Sequence, residues 1–321
     1  MRFTEDMLTT YAAPLSETEN TRCKNAIRMI RDALKNIGFV SDTTDPELMY
    51  SDTYAYSYIM KSTRGQHNRQ VKLLVQGSYA NNTNVKQNSD VDIAVILEST
   101  FRPSYRNGVS GSQYGFLDST DSIEQFKDDV EAALRDYFTY GVIRKNKSIK
   151  VEGNSYRVDA DTVPCMRYRD YKGDYSYSQS NYVGGIVIVP DQGREIINYP
   201  EQHIINGKRK NTDTHQLYKK MVRIMKKMRY LMEDDGYSEA KGVSSFVLES
   251  LLWNIPNDWY LENAKYRKVF LFKLMLDYLI QHIAEYGSYR EANGIKFLSE
   301  DHDISALQRF VQALSRYYDY E

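Results

Sequence analysis

The sequence predicts an α+β protein, with a mixed α/β part at residues 1–199 followed by an all-helical part at residues 200–321. Short apolar runs typical of strands alternate with helical patterns up to about residue 198. From Asn211 onward, the apolar residues recur only at helical spacing. A chain of 321 residues suits one large domain or two lobes around a shared cleft. We expect the change from one part to the other near Tyr199-Pro200.

The first predicted element is a long helix that begins after Ser16. Ser16 and Glu19 have the spacing of a capping box, in which each residue satisfies a backbone N–H of the first turn. We expect this helix to extend to about Asn36. Residues 40–70 are mixed and polar, and we expect them to be weakly helical.

Two apolar strands follow, at Val71–Gln76 and Val91–Leu97. Because Val91–Leu97 is apolar at nearly every position, we expect it to be buried on both faces at the centre of a sheet. Residues 99–119 have the composition of a surface loop, and Asp121 begins a helix that reaches about Thr139. Further strands are predicted at Ile143–Val151, Tyr156–Val163, Cys165–Tyr171, Gly185–Val189 and Glu195–Asn198.

The composition argues against some classes of protein. Lys and Arg total 42 and Asp and Glu total 43, whereas nucleic-acid-binding domains usually carry a basic excess. The balance therefore favours small, free substrates. Cys23 and Cys165 are the two cysteines, too few for a zinc module or a disulfide framework.

No membrane segment is expected. The N-terminal residues lack the continuous apolar core of a signal peptide. The most apolar stretch, Val269 to Ile283, is interrupted by Lys273 and Asp277, so it predicts a buried helix. We expect a cytoplasmic protein.

Asp90 and Asp92 are the strongest candidates for a metal site. Residues two apart on a strand point to the same side, so these carboxylates should lie together at the start of the second strand. Two like charges held so closely repel each other unless a cation lies between them. Hard carboxylate oxygens suit Mg²⁺, which completes its coordination with phosphate oxygens and water.

Gly77 and Ser78 end the first strand and are candidate nucleotide-binding residues. Glycine permits close approach of the backbone to a ligand, and N–H groups at such a turn can bind phosphate. Ser78 would add a hydroxyl donor. Either pair alone is commonplace. Their order and spacing, each beside an apolar strand, predict a metal-dependent nucleotide site.

A third carboxylate would complete a two-metal site, in which two ions clamp the attacking and leaving oxygens of a phosphoryl displacement. The candidates are Asp159 and Asp161, on a later predicted strand. They share one face of that strand, so geometry alone leaves both open.

These motifs resemble those of the bacterial CD-NTases, the cGAS/DncV-like nucleotidyltransferases of the DNA polymerase β-like superfamily. The family pattern has a Gly-Ser turn, an Asp-x-Asp strand, and an Asp two residues before a Val-Pro pair. The last element matches Asp161 ahead of Val163-Pro164, so the resemblance makes Asp161 the third metal ligand. It also implies a polymerase β-like lobe at residues 1–199, with its first helix spanning both lobes, and a helical substrate-binding lobe at residues 200–321.

The resemblance extends into the helical part. Lys226 matches the family lysine that holds the donor triphosphate, and Ser245 matches a serine that donates to it. Phe246 would stack on a base, although core packing is an equal alternative. For Lys219 and Lys220, we expect a solvated basic face instead. The apolar face of the same helix comprises Leu217, Met221, Ile224, Met225, Met228 and Met232.

The resemblance implies an enzyme that condenses NTPs into a cyclic di- or trinucleotide messenger, with Mg²⁺ or Mn²⁺ and with release of pyrophosphate. It implies antiphage signalling of the CBASS type, through an effector that responds to the diffusible product. We expect a monomer without a DNA activator. The alternatives are nucleotidyl transfer onto a protein, a drug or an RNA end, and a pseudoenzyme that only binds nucleotides.

Overall fold

The computed structural model describes residues 2–63, 69–85, 90–119 and 121–321, and these residues form two compact units. The sheet unit comprises described residues within 16–79 and 90–201, and the helical unit comprises 2–15, 80–85 and 202–321. Two segments of the first part of the chain, 2–15 and 80–85, therefore group with the helices. Residues 86–89, which precede Asp90, lie outside the described residues.

The elements are numbered along the chain. The strands are β1 (Arg2–Phe3), β2 (Phe39–Val40), β3 (Glu47–Leu48), β4 (Tyr56–Ser62), β5 (Gln70–Gln76), β6 (Val91–Ser104), β7 (Val142–Arg144), β8 (Ile149–Val151), β9 (Ala160–Asp170), β10 (Val183–Ile188), β11 (Ile196–Asn198) and β12 (Asp319–Tyr320). The α-helices are α1 (Glu5–Ala12), α2 (Glu17–Leu34), α3 (Gly77–Ala80), α4 (Ile123–Tyr137), α5 (Pro200–Asp213), α6 (Leu217–Asp234), α7 (Ser245–Trp253), α8 (Asn257–Asn263), α9 (Lys268–Gln281), α10 (Leu298–Asp301) and α11 (Ile304–Tyr317).

A mixed sheet forms the centre of the sheet unit. Its main path has the order β11-β10-β9-β6-β5-β4-β2, with β6 paired parallel to β9 and the other pairs of this path antiparallel. A parallel pair requires a crossover connection, which here contains α4. The apolar residues of β6 from Val91 to Leu97 are fully buried, so the prediction of a central, buried strand is confirmed.

Several predicted boundaries were wrong. Strand β6 continues to Ser104, so the predicted loop at 99–119 begins later. The strand predicted at Ile143–Val151 is a hairpin, β7 and β8. Residues 40–70, expected to be weakly helical, contain β3 and β4 among their described part.

Strand β9 unites the two strands that were predicted on either side of Pro164. Pro164 pairs with Val95 of β6, but it lies between the stretch of β9 that pairs with β8 and the stretch that pairs with β10. Proline has no N–H to donate to a second neighbour. It is tolerated here because that side of the strand changes partner at this position.

The capping box of α2 is confirmed. The Ser16 backbone N–H donates to Glu19 Oε2 at 2.8 Å, and the Glu19 N–H donates to Ser16 Oγ at 3.3 Å. These bonds satisfy backbone donors that the first turn of a helix would otherwise leave unpaired.

Replacing Ser16 by alanine is expected to lower the free energy of unfolding by about 1 kcal/mol, because the N-cap hydroxyl is lost. Denaturant titration would measure the change. Thr21→Ala is the control, since Thr21 is an exposed residue inside the same helix. Equal stabilities of Ser16→Ala and the wild type would contradict the capping role.

The core of the helical unit is built largely from α1, α6, α7, α9 and α11. The predicted apolar face of α6 is confirmed, since its methionines and Ile224 are fully buried and Leu217 packs beside them. β1 and β12 pair in parallel, and the buried Phe3 ring stacks on Tyr318 with centroids 5.2 Å apart. Helix α9 confirms the buried helix predicted near Val269. Across the described parts of the chain, none of the helices has the length and apolar character needed to cross a membrane.

Candidate active site

The predicted metal-ligand carboxylates lie at the start of two adjacent strands. Asp92 of β6 pairs in register with Asp161 of β9. Residues paired across neighbouring strands point to the same face, and so does Asp90, two residues before Asp92. The Val91 N–H donates to the carbonyl of Asp159 at 3.0 Å, so pairing continues at this end. Asp90, Asp92, Asp161 and Asp159 therefore share one face and one end of the sheet.

Gly77 lies directly against Asp92. It follows β5, whose last residue, Gln76, pairs with Asp92. The backbone of Gly77 is left-handed, with φ +68°, and a Cβ at this position would lie 2.2 Å from Asp92 Oδ2. Only glycine tolerates both conditions. Ser78 follows in the short helix α3 and is half-buried.

Two lysines of the β7–β8 hairpin region pair with carboxylates at the start of β9, Asp161 within the strand and Asp159 just before it. Lys145 Nζ lies 3.0 Å from Asp161 Oδ1, and Lys150 forms a closer ion pair with Asp159. Asp159 also accepts the Gly153 N–H at 2.6 Å. Neither lysine was predicted as part of the site, because both approach Asp159 and Asp161 only through the β7–β8 hairpin. The one sequence feature that could have indicated these lysines is their place within the strand predicted at Ile143–Val151.

The surroundings of the site shift the pKa values of Asp90 and Asp159 in opposite directions. Burial raises the pKa of Asp90, the carboxylates of Asp159 and Asp161 raise it further, and Lys150 opposes them. For Asp159, burial would also raise the pKa, but the Lys150 ion pair and the Gly153 N–H outweigh it and lower the pKa. The charge of Asp159 is thus balanced by its own partners. Asp90 is repelled by the neighbouring carboxylates, and a bound cation would reduce that repulsion.

The donor set fits a hard divalent cation, because it consists of carboxylate oxygens on one face. Within residues 2–63, 69–85, 90–119 and 121–321, no three Asp, Glu, His or Cys side chains already form a metal-binding cluster. The Asp161 carboxylate lies within ion-pair distance of Lys145.

Lys226, predicted to hold the triphosphate, lies in a buried ion pair of the helical unit. It is 2% exposed, and its Nζ lies 2.9 Å from Glu249 Oε2 and 3.0 Å from Thr83 Oγ1. These bonds use two of its three N–H donors. The described residues provide no further partner for the third. The solvated basic face expected for Lys219 is wrong, since Lys219 is also 2% exposed; Lys220 is half-buried.

Glu249 connects a hydrogen-bond network that was not predicted from the sequence. Its Oε2 accepts from Lys226 and, at 2.8 Å, from the Thr83 hydroxyl, and its Oε1 lies 2.9 Å from His203 Nε2. His203 Nδ1 in turn lies 3.3 Å from Asn81 Nδ2. Burial would raise the pKa of Glu249, but Lys226 and His203 hold it well below its usual range. The carboxylate is therefore ionised inside the core.

Ser245 and Phe246 lie at the start of α7. Ser244 is the N-cap and accepts from the Val247 N–H, and Ser245 is the first helical residue and is half-buried. The half-buried Phe246 ring has its centroid 5.1 Å from that of His203, at nearly a right angle. Packing of Phe246 is thus established, while stacking on a base stays a prediction.

Replacing Gly77 by alanine is expected to reduce the predicted nucleotidyl-transfer activity at least about a hundredfold, because its Cβ would displace the carboxylate of Asp92, a predicted metal ligand, and small misplacements of catalytic groups have effects of that size. Initial rates of product formation would measure the loss. Gly108→Ala is a matched control, since Gly108 also has a left-handed backbone, with φ +77°, but no atom lies within 4 Å of its added Cβ. It should lose about 1–2 kcal/mol of stability and keep its activity. Equal activity losses in both variants would assign the effect to backbone strain.

Two family models match the chain. A nucleotidyltransferase domain matches residues 59–169. The cGAS/DncV-like nucleotidyltransferase C-terminal helical domain matches residues 205–319. The first match contains Gly77 and all three predicted metal ligands, and the second contains Lys226 and Ser245.

The chain is similar to characterised synthases over most of its length. It is 41% identical to the cyclic GMP-AMP synthase CdnE03 of Staphylococcus schleiferi, over 100% of this chain and 98% of that protein. It is 36% identical to the cyclic dipyrimidine nucleotide synthase CdnE of Cecembia lonarensis, over 84% of each. The solved structure of the Elizabethkingia meningoseptica CdnE cyclic dinucleotide synthase with GTP and Apcpp has 31% identity and a TM-score of 0.73, covering 98% of this chain and 99% of that one.

Proposed function

We propose, because the chain belongs to the cGAS/DncV-like nucleotidyltransferase family, that it joins nucleoside triphosphates into a cyclic di- or trinucleotide. The observation that carries this proposal is the register of Asp92 with Asp161 beside Gly77, in a chain that matches a cyclic GMP-AMP synthase over its whole length. That register supports Asp161, and not Asp159, as the third ligand. The paired state of Asp159 supports the same choice.

Asp90, Asp92 and Asp161 would hold divalent cations, Mg²⁺ or Mn²⁺. When bound, such ions lower the pKa of the acceptor ribose hydroxyl and neutralise charge on the phosphates. The half-buried Ser78 and Ser245 would donate to the donor triphosphate. Phe246 would present part of its ring to a base.

Lys226 would contribute its remaining N–H to a phosphate oxygen while it stays paired with Glu249. The acceptor hydroxyl oxygen forms a bond to the donor α-phosphorus, the bond from that phosphorus to the β-phosphate oxygen breaks, and pyrophosphate leaves. A second round on the linear product closes the ring. The side chains bind and orient both nucleotides, and no covalent enzyme intermediate is needed.

The biological role that fits this product is antiphage signalling of the CBASS type. A diffusible cyclic nucleotide would act on a separate effector. We infer a monomeric enzyme that uses free NTPs and needs no DNA activator, in keeping with the balanced totals of 42 basic and 43 acidic residues.

The test is incubation of the protein with an equimolar mixture of labelled NTPs and Mg²⁺, followed by phosphatase and mass spectrometry. All four nucleotides are needed, because the relatives include a GMP-AMP synthase and a dipyrimidine synthase. We expect a phosphatase-resistant cyclic product that disappears with EDTA. Label on a macromolecule would indicate transfer onto another acceptor, and binding of label without product would indicate a pseudoenzyme.

A further inference from the structure

A buried polar network lies inside the helical unit, and of its members only Lys226 has a part in the proposed reaction. Its members are almost completely inaccessible: Thr83 is 0% exposed, Glu249 1%, Lys226 2% and His203 6%. Ionised groups are costly to bury and remain buried only when they are paired and hydrogen-bonded. The network therefore requires a compensating benefit in stability or in function.

Glu249 is the centre of this network. Both of its oxygens are engaged, Oε2 by Lys226 and Thr83 and Oε1 by His203. The ammonium of Lys226 has its direction set by two bonds, to Glu249 at 2.9 Å and to Thr83 at 3.0 Å. A carboxylate in this position determines where the third N–H of Lys226 points.

The same network anchors three consecutive residues, 81 to 83. Asn81 contacts His203, and Thr83 contacts Glu249 and Lys226. Between them, the carbonyl of Asn82 accepts from Arg223 Nη1 at 2.5 Å, and Arg223 Nε donates to the carbonyl of Ala12 at 2.6 Å. The anchored residues continue the chain almost directly from the Gly77-Ser78 turn.

We propose that Glu249 is a positioning residue for the donor triphosphate: it orients the Lys226 ammonium and, through Thr83 and His203, anchors the segment that follows Ser78. This inference rests on the proposed function, because it assumes that Lys226 and Ser78 contact the triphosphate. Glu249 itself does not touch the nucleotide. Its effect should therefore appear in the affinity for NTP and not in the chemical step.

The test is Glu249→Gln, which keeps the shape of the side chain and removes its charge. Steady-state rates across a range of NTP concentrations should show a KM raised about tenfold, since hydrogen bonds to charged groups have effects of this order, with kcat within about threefold of wild type. Leu314→Ala is the stability control, because Leu314 is a fully buried core residue of the same unit. It should lower the melting midpoint and leave KM unchanged.

Thr83→Val and Thr83→Ser are a second pair of variants with smaller changes, and they test the inference even if Glu249→Gln fails to fold. Valine preserves the volume and removes the hydroxyl, so KM should rise, whereas serine keeps the hydroxyl and should restore a KM near the wild-type value. An unchanged KM in folded Glu249→Gln or Thr83→Val, or a loss confined to kcat, would overturn the inference. Absence of any nucleotidyl product from the wild type would instead refute the proposed function, so the two failures are distinguishable.

Discussion

Replacing Asp161 by asparagine is expected to lower product formation at least about a thousandfold while the protein remains folded. Asparagine keeps the size of the side chain but removes the negative charge that would hold a cation beside Asp92. Metal stabilisation of a phosphoryl-transfer transition state is worth several kcal/mol, and each 1.36 kcal/mol changes the rate about tenfold. The initial rate of cyclic-product formation at saturating Mg²⁺ and the melting midpoint would be measured together.

Asp159→Asn is the matched control for this prediction. Asp159 lies on the same strand face, two residues from Asp161, but its carboxylate is engaged by Lys150 and the Gly153 N–H. We expect Asp159→Asn to keep most of its activity and to lose some stability, because an ion pair is broken. The reverse result, with Asp161→Asn active and Asp159→Asn inactive, would assign the third ligand to Asp159.

Replacing Lys226 by methionine is expected to lower the free energy of unfolding by about 3–5 kcal/mol, the typical result of removing one partner of a buried ion pair. Methionine fills much of the same volume, so the loss would come mainly from the uncompensated charge of Glu249, which is 1% exposed. Urea titration followed by circular dichroism would measure it. NTP affinity should also fall, because the variant lacks the N–H that we propose binds a phosphate oxygen.

The double variant Lys226→Met/Glu249→Gln separates these two effects. It removes both charges, and the glutamine amide can still bond to Thr83 and His203, so most of the lost stability should return. NTP affinity should stay low, since no ammonium is restored. A double variant as unstable as Lys226→Met would show that the buried charge of Glu249 is not the cause, and full recovery of NTP affinity would remove Lys226 from the binding site.

The sequence was most informative where local pattern and burial agree. The apolar run from Val91 to Leu97 predicted a central strand, and the capping box predicted where α2 begins. The failures have physical causes. β3 and β4 lie in a polar stretch and form only by pairing with other strands. Pro164 is compatible with β9 only because it lies between the residues that pair with β8 and those that pair with β10. Neither fact is encoded in a window of a few residues.

For the site, spacing was sufficient to place Asp90 and Asp92 on one face, but register was needed to bring Asp161 opposite Asp92. The surroundings of Lys226 could not be predicted. A helical pattern places that lysine off the apolar face of α6, and off-face residues are normally solvated. Here the off-face residues Arg223 and Lys226 are covered by α1 and by residues 80–85 of the same unit, through contacts with Ala12, Asn82 and Thr83.

The parallel pairing of β6 with β9 has a consequence for the order of folding. The two strands come from distant parts of the chain, and α4 and the β7–β8 hairpin lie between them. Local contacts can form β5, Gly77 and the start of β6 early, but Asp161 arrives only when this long loop closes, a step that topology makes slow. A nascent or partly refolded chain would thus carry Asp90 and Asp92 before Asp161 lies opposite Asp92. Catalytic competence should therefore appear late, as a property of the completed sheet.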